Sequence, residues 1–502
     1  MLQFIGFAVL LGHYSLLFLL CIYGAHRLQL TWVAWRSRTP QAAKQLDDLP
    51  VITVQLPVFN ERFVVERLID AVAALDYPRE RLQIQVLDDS TDDTTVLAAA
   101  RVAHHRAAGI WIDHLHRTDR TGFKAGALGA GLVHAKGEFI AIFDADFVPV
   151  PEALKEAIHA FSAPDVGMVQ LRWLHLNRHY NTLTEVQAVM LDAHFAIDQV
   201  ARARTGLYFN FNGTAGLWRK QAIHDAGGWQ WDTITEDLDL SYRAQMKGWR
   251  FVYLHNIGCP SELPVEMTAF KSQQHRWAQG AIQVMRKTLP RLWRAPIALR
   301  IKLEATLHLS SNLAYLLMLI DSAFFLLPSV YVRQHMSTFF GPSFDIALPV
   351  LLLDGPLLFL STGSHLIFFM AGQNPTWRSL GKQLLLVPAL LATAVGLSLN
   401  NGRAVWKGLR GTVSPFVRTP KLGEHAINNQ GLKARPRSYA QRKRGDEVSE
   451  LSLAALYGFY TLLAVALGCW GLAPFFMLFM GGFLYAGTQT LRESRALSLE
   501  PA

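Results

Sequence analysis

Residues 4–23, FIGFAVLLGHYSLLFLLCIY, contain no Asp, Glu, Lys or Arg. A helix of that length, rising 1.5 Å per residue, spans about 30 Å, the thickness of a hydrocarbon core. Such a run commits the chain to a bilayer. A cleaved signal peptide is the competing reading, but no basic segment precedes the run and no small-residue cleavage site follows it. Arg27, Arg36, Arg38 and Lys44 follow at once. The positive-inside rule therefore predicts an outer N-terminus and a cytoplasmic chain beyond residue 25.

Comparable apolar runs return at 305–332, 346–371, 383–400, 451–470 and 472–489, and 50–300 has none. Composition agrees: 51% of residues are hydrophobic and 17% charged, against about 25% charged in soluble domains. The net charge of +9 is concentrated in 402–446, which holds 11 Lys/Arg and 2 Asp/Glu. This loop is expected on the cytoplasmic side, facing lipid headgroups and not nucleic acid. Three full crossings between the cytoplasmic domain and this loop would put it outside. Residues 383–400, the shortest run and one carrying Pro388 and Gly396, are therefore expected to re-enter or lie in the interface. Cys21, Cys259 and Cys469 lie too far apart for a disulfide framework or a Cys-based metal site.

From residue 50 the periodicity changes. VITVQLPVF, QIQVLDDS, GIWIDHL and GEFIAIFDAD read as strands, and NERFVVERLIDAVAAL has apolar residues at helical spacing. The alternation predicts a parallel α/β sheet, whose ligands bind at the carboxyl ends of the strands. Asp88-Asp89 and Asp144-Ala145-Asp146 fall at that edge. Strand-end aspartates also serve as turn and helix caps, but two clusters at one edge suit a divalent cation, which takes one or two carboxylates plus substrate phosphates. Lys124, in RTGFKAGAL, is either a phosphate contact or a solvated surface lysine. FNFNGTAGLWR (209–219) reads as a loop lining a polar groove. In TITEDLDL (233–240) Thr235 reads as an N-cap followed by first-turn acids that suit the helix dipole. The sharper reading makes one of these residues a general base, a role compatible with capping. FKSQQHRWAQGAIQVMRK (270–287) is an amphipathic, interfacial stretch, which leaves Gln273, Arg276 and Trp277 unexplained.

Read in order, PVFNE (57–61), LDDS (87–90), KAGAL (124–128), DAD (144–146), FNGTAG (211–216), TED (235–237) and QQHRW (273–277) resemble the family 2 glycosyltransferases of the cellulose synthase superfamily. The wording is closest to the mannan and xyloglucan-backbone synthases and their bacterial relatives. FVRTPK (416–421) resembles the gating loop of cellulose synthases but has Arg418 before Thr419. The resemblance implies a GT-A-like α/β catalytic domain at 50–265 inserted between transmembrane helices. It follows a transmembrane helix (1–25) and a juxtamembrane linker (26–49). Beyond it come interfacial helices (266–302), transmembrane and re-entrant helices (303–401), the basic loop (402–450), a transmembrane hairpin (451–490) and a tail (491–502).

The resemblance also implies roles. Pro57, Asn60, Glu61, Asp88, Asp89, Lys124, Asp144, Gln273 and Arg276 would hold the nucleotide sugar. Asp144 and Asp146 would hold Mg2+ or Mn2+, and Asp237, with Glu236 beside it, would be the catalytic base. Asn212, Gly213 and Trp277 would meet the acceptor. The expected activity is inverting, processive transfer of a hexose from a UDP- or GDP-hexose to a growing β-glycan with export of the polymer, in a multi-pass protein of a bacterial plasma membrane. Transfer to a lipid acceptor (ceramide, diacylglycerol or a polyprenyl carrier) stays open, as does a transporter or receptor with an α/β ligand domain, against which the clustered acids speak.

Overall fold

The computed structural model describes residues 1–37, 44–341, 347–373, 377–412, 418–421, 423 and 446–499. Its α/β domain is built on a seven-stranded sheet: β1 (Ile52–Val58), β2 (Leu82–Asp88), β3 (Ile112–His116), β4 (Phe139–Ile142), β5 (Val166–His175), β6 (Gly216–Arg219) and β7 (Arg250–Ser261). They lie in the order β3-β2-β1-β4-β6-β5-β7. The four strands read from the sequence are all present and mutually parallel. Val58 pairs with Asp88, which sets the ends of β1 and β2 level.

Period-two alternation divides the sheet between two cores. On β4, Phe139 and Ala141 face a core shared with helices Val65–Ala73 and Thr94–Ala107, while Ile140 and Ile142 face one shared with helix Phe123–His134. The sheet departs from the parallel expectation at β6, which runs antiparallel to both β4 and β5. The chain returns from helix Gln199–Thr205 over the carboxyl edge, so β6 starts where β4 ends, with Gly216 opposite Ile142. That reversal is functional geometry, because it drops residues 210–215 beside Asp144.

The N-terminal helix runs from Leu2 to Arg36. The linker expected from residue 26 is thus helical over its first part, and Leu30 and Ala34 bury into the second core of the domain. Among the described residues, six helices are long and apolar enough to cross a membrane: Leu2–Arg36, Leu313–Gln334, Leu353–Gly372, Gln383–Arg410, Glu447–Ala466 and Trp470–Arg495. Residues 383–400 belong to the fourth and by length and composition match the rest. Most of the basic loop lies outside the described residues.

Polar groups in the apolar helices find partners close by. His13 Nδ1 lies 2.9 Å from Asp321, Tyr14 donates to Asp354 at 3.1 Å, and Arg333 also pairs with Asp354. Ser364 donates to the carbonyl of Leu360 at 2.6 Å. Asp321 and Asp354 therefore clamp the N-terminal helix, and the need for polar groups at membrane depth is met by helix packing.

A second buried ionic group ties that helix to the domain. Glu304 accepts from Arg202 at 2.9 Å and pairs with His26 at 2.8 Å. Arg202 and His26 hold its carboxyl down at about 2 against the opposing effect of burial. Glu304→Leu would take from buried Arg202 its nearer carboxylate and leave it Asp198 at 3.9 Å, at an expected cost of about 3 kcal/mol. This is measurable as a lower unfolding temperature in detergent, and Arg202→Met in the same chain is expected to restore most of the loss.

Candidate active site

The carboxyl edge of β1 and β4 opens into a cavity of about 200 Å³. Thirteen of the fifteen residues singled out by the motifs line it: Pro57, Glu61, Asp89, Lys124, Asp144, Asp146, Asn212, Gly213, Glu236, Asp237, Gln273, Arg276 and Trp277. Chain segments 200 residues apart thus share one site, as the motif order implies.

Asn60 and Asp88 do not line it. Asn60 sits in the left-handed region at φ 55°. It brackets the neighbouring loop, accepting from the Thr91 amide at 2.8 Å, while its own amide donates to Ser90 Oγ at 2.8 Å. Asp88 is fully buried and faces away. It accepts from the Ser90 amide at 2.8 Å and meets His114 at 3.0 Å and His116 at 3.3 Å. These bonds drive its carboxyl far below the usual range despite burial. Asp89 is the member of the pair that reaches the cavity, gripped at both oxygens by Arg117 at 2.7 and 2.6 Å.

At the end of β4 each aspartate holds an ammonium. Lys124 lies 2.5 Å from Asp144 and donates to the Gly213 carbonyl at 2.8 Å. The Asp144 amide donates to Thr214 Oγ1 at 2.8 Å, a bond that β6 makes possible. Lys421, from far beyond the apolar helices, lies 2.6 Å from Asp146 and donates to the Glu262 carbonyl at 2.9 Å. Its neighbour Arg418 sits 3.6 Å from Glu61. Burial, reinforced by Asp146 and Glu262 and opposed by Arg418 and Lys421, pushes the Glu61 carboxyl up to about 8. The pair Asp144 and Asp146 offers hard oxygen ligands suited to a divalent cation. Among the described residues no group of three or more His, Cys, Asp or Glu is arranged to hold a metal, so a bound diphosphate would have to supply further oxygens.

Glu236 and Asp237 open helix Glu236–Met246. Thr235 occupies the N-cap position, but its hydroxyl makes no capping bond and has no partner. Thr235 thus stands at the N-cap with acids in the first turn, as expected, but without the side-chain capping bond. Burial raises both carboxyls, and at Glu236 the Asp237 charge adds to that, while Lys124 opposes the rise at both. Raised carboxyls suit proton acceptance near neutral pH. Asp237 also adjoins the 210–215 loop: a Cβ placed on Gly213 (φ 82°) would come 3.0 Å from its Oδ2. Gln273, Arg276 and Trp277 enter from helix Met267–Arg294, and Arg276 approaches Thr419 at 3.5 Å.

The sequence reading passed over Arg120 and Glu262, both on the cavity wall. Arg120 lies 3.3 Å above the Phe59 ring centre. Glu262 follows β7 at the same edge, and its carboxylate accepts from the Gly423 amide at 3.1 Å and pairs with Arg67 at 3.2 Å. Its signal was present as a third strand-end acid, hidden because β7 was not identified.

Residues 53–224 match the family described as Glycosyl transferase family 2, and residues 139–362 the one described as Glycosyl transferase family group 2. The chain is 44% identical over 246 residues to glucomannan 4-beta-mannosyltransferase 1 of Oryza sativa subsp. japonica, covering 48% of this chain and 47% of that protein. It is 43% identical over 245 residues to glucomannan 4-beta-mannosyltransferase 2 of Arabidopsis thaliana, covering 48% and 46%. The chain thus spans about half the length of the curated relatives it matches. A mannosyltransferase from Pyrobaculum calidifontis, solved with GDP-Man and Mn2+, superposes with a TM-score of 0.47 at 21% identity over 74% of this chain and 98% of that one.

Lys421 stands where a cation at Asp146 would be repelled. Lys421→Met is expected to tighten Mn2+ binding by the nucleotide-free protein about tenfold, the scale of one partly screened charge contact. Titration followed by electron paramagnetic resonance of free Mn2+ measures it.

Proposed function

We propose that the protein is a membrane-embedded inverting hexosyltransferase of glycosyltransferase family 2, in its cellulose synthase-like branch. It moves mannose from GDP-mannose to the terminal hydroxyl of a growing β-glycan. The observation that carries this is the convergence on one cavity of Asp144, Asp146, Glu236, Asp237, Gln273, Arg276 and Trp277. The plant relatives named as glucomannan mannosyltransferases support the sugar and the polymer.

In this reading Pro57, Glu61 and Asp89 hold the nucleoside, with Asn60 and Asp88 shaping the loops behind them. Asp144 and Asp146 would hold Mg2+ or Mn2+, which when bound supplies positive charge to the leaving diphosphate. Gln273 and Arg276 bind that diphosphate where its charge grows. Asp237 accepts the proton of the acceptor hydroxyl, with Glu236 and Lys124 adjusting its charge. A single carboxylate base suffices, because attack by a neutral hydroxyl needs no covalent intermediate. Trp277 offers its ring face to the acceptor sugar. The domain and the basic loop lie on the cytoplasmic face, with residues 383–400 confined to that side.

Membrane vesicles supplied with a panel of labelled nucleotide sugars test the reading. GDP-mannose is expected to yield polymer that an endo-β-mannanase cuts to oligosaccharides. A product wholly extracted into organic solvent, with one or two sugars per lipid, would establish the glycolipid alternative. Asp237→Asn is expected to lower turnover by ~10²–10⁴-fold with little change in donor binding. Since Asp237 must be ionised to act and its carboxyl is raised above the usual 3.8, activity should fall on acidification at a higher pH than an ordinary aspartate would give.

A further inference from the structure

The helix that carries Gln273, Arg276 and Trp277 begins without a cap of its own. Glu266 stands at its N-cap but makes no side-chain capping bond, and its first turn holds no acid. The first amides of a helix must find acceptors outside it. Here the acceptor lies far along the chain, in the C-terminal hairpin. The Met267 amide donates to Glu493 Oε1 at 2.7 Å, and the Thr268 amide donates to Glu493 Oε2 at 2.9 Å. A carboxylate in that place also suits the positive end of the helix dipole.

One turn later the same hairpin takes hold again. Lys271 is buried, and its ammonium lies 2.5 Å from the carboxylate of buried Glu450 and donates to Thr490 Oγ1 at 3.2 Å. Glu450 belongs to helix Asp446–Ala466. Thr490 and Glu493, three residues apart and so on one face, belong to helix Ala473–Leu499. From helix Ser398–Arg410, Asn400 Nδ2 donates to the Lys271 carbonyl at 2.9 Å. Two amides and one ammonium of the first turns are thus held by carboxylates of the hairpin. A buried ion pair is costly to break, which makes the grip firm.

What the hairpin grips is the back of the active-site helix. At 3.6 residues per turn, Gln273, Arg276 and Trp277 stand about 200°, 140° and 240° around the axis from Lys271. They therefore share the opposite face, where they line the catalytic cavity. The helix is α-helical without a break from Met267 to Arg294, so a rotation or slide of its first turns is passed to that face. We propose that Glu493 is a positioning residue, acting with Glu450 and Thr490 through Lys271. It sets the height and rotation of the helix so that Gln273 and Arg276 meet the donor diphosphate. This rests on the transferase reading above, and it gives the C-terminal hairpin a part in donor binding.

The test is a mutant cycle on the full-length protein in detergent, read by calorimetric titration with GDP and Mn2+ (UDP, if that is the nucleotide the wild type binds). Glu493→Ala is expected to weaken nucleotide binding about tenfold, the size of one lost hydrogen bond to a charged group. Glu493→Gln, which keeps one oxygen acceptor for the two amides, should fall between Glu493→Ala and wild type. In a chain already carrying Gln273→Ala and Arg276→Ala, adding Glu493→Ala should change the affinity by less than about twofold, because the groups it positions are gone. If Glu493→Ala does not accumulate, Glu493→Gln takes its place in the cycle. An equal loss with and without Gln273 and Arg276 would overturn the assignment alone. So would a lower unfolding temperature with unchanged nucleotide affinity, the mark of a merely structural role. Wild-type protein that binds neither GDP nor UDP would overturn the transferase reading and this assignment with it.

Discussion

Seven carboxyl groups, of Glu61, Asp89, Asp144, Asp146, Glu236, Asp237 and Glu262, line one cavity, and like charges that close cannot stay ionised away from water without cations among them. The cations come from separate stretches of chain: Lys124 from the sheet domain, Arg276 from the amphipathic helix, and Arg418 and Lys421 from beyond the apolar helices. Charge balance therefore makes the site a property of the whole chain. The catalytic domain is neutralised only when the segment around Lys421 has returned to it, and Glu262 binds that return through the Gly423 amide and the Lys421 ammonium.

Backbone geometry supplies the other half. Level ends of β1 and β2 put Pro57, Glu61 and Asp89 on one rim. The reversed strand β6 lays Asn212, Gly213 and Thr214 across the end of β4, so this loop meets the strand-end acids at Asp144. From the far side the N-terminal helix contributes His26 and Arg27, joined to Glu304 and Asp198. A helix that could have served only as an anchor is wired into the domain by buried ion pairs. Those pairs are costly to bury singly and hold because each charge has a partner.

Much of this was legible in the chain. Strands that end in acids, Gly-rich turns and the spacing of Gln273, Arg276 and Trp277 pointed to the right edge of the right sheet, because period-two burial and strand-end ligation leave local traces. What failed to show was set by distant contacts. Nothing local distinguishes Asp88, which turns inward to two histidines, from Asp89, which turns to the cavity. Thr235 resembles a cap, yet the close approach of Gly280, where a Cβ would lie 2.4 Å from its methyl carbon, packs it against a neighbouring helix. Asp321 and Asp354 stand in apolar runs with no nearby partner in sequence, yet they pair with His13, Tyr14 and Arg333 across the fold. The antiparallel course of β6 and the part played by Glu262 needed the later strands, whose pattern is broken by aromatic and basic residues.

The central claim is that one carboxylate base directs a single displacement at the anomeric carbon. The most direct measurement is the anomeric configuration of the first bond formed from an α-linked nucleotide mannose, read from the one-bond C1–H1 coupling of 13C-labelled product. A β-linkage, inverted from the donor, is the predicted result. An α-linkage would require a second displacement or an internal return, for which the account gives this site no nucleophile, and would contradict it.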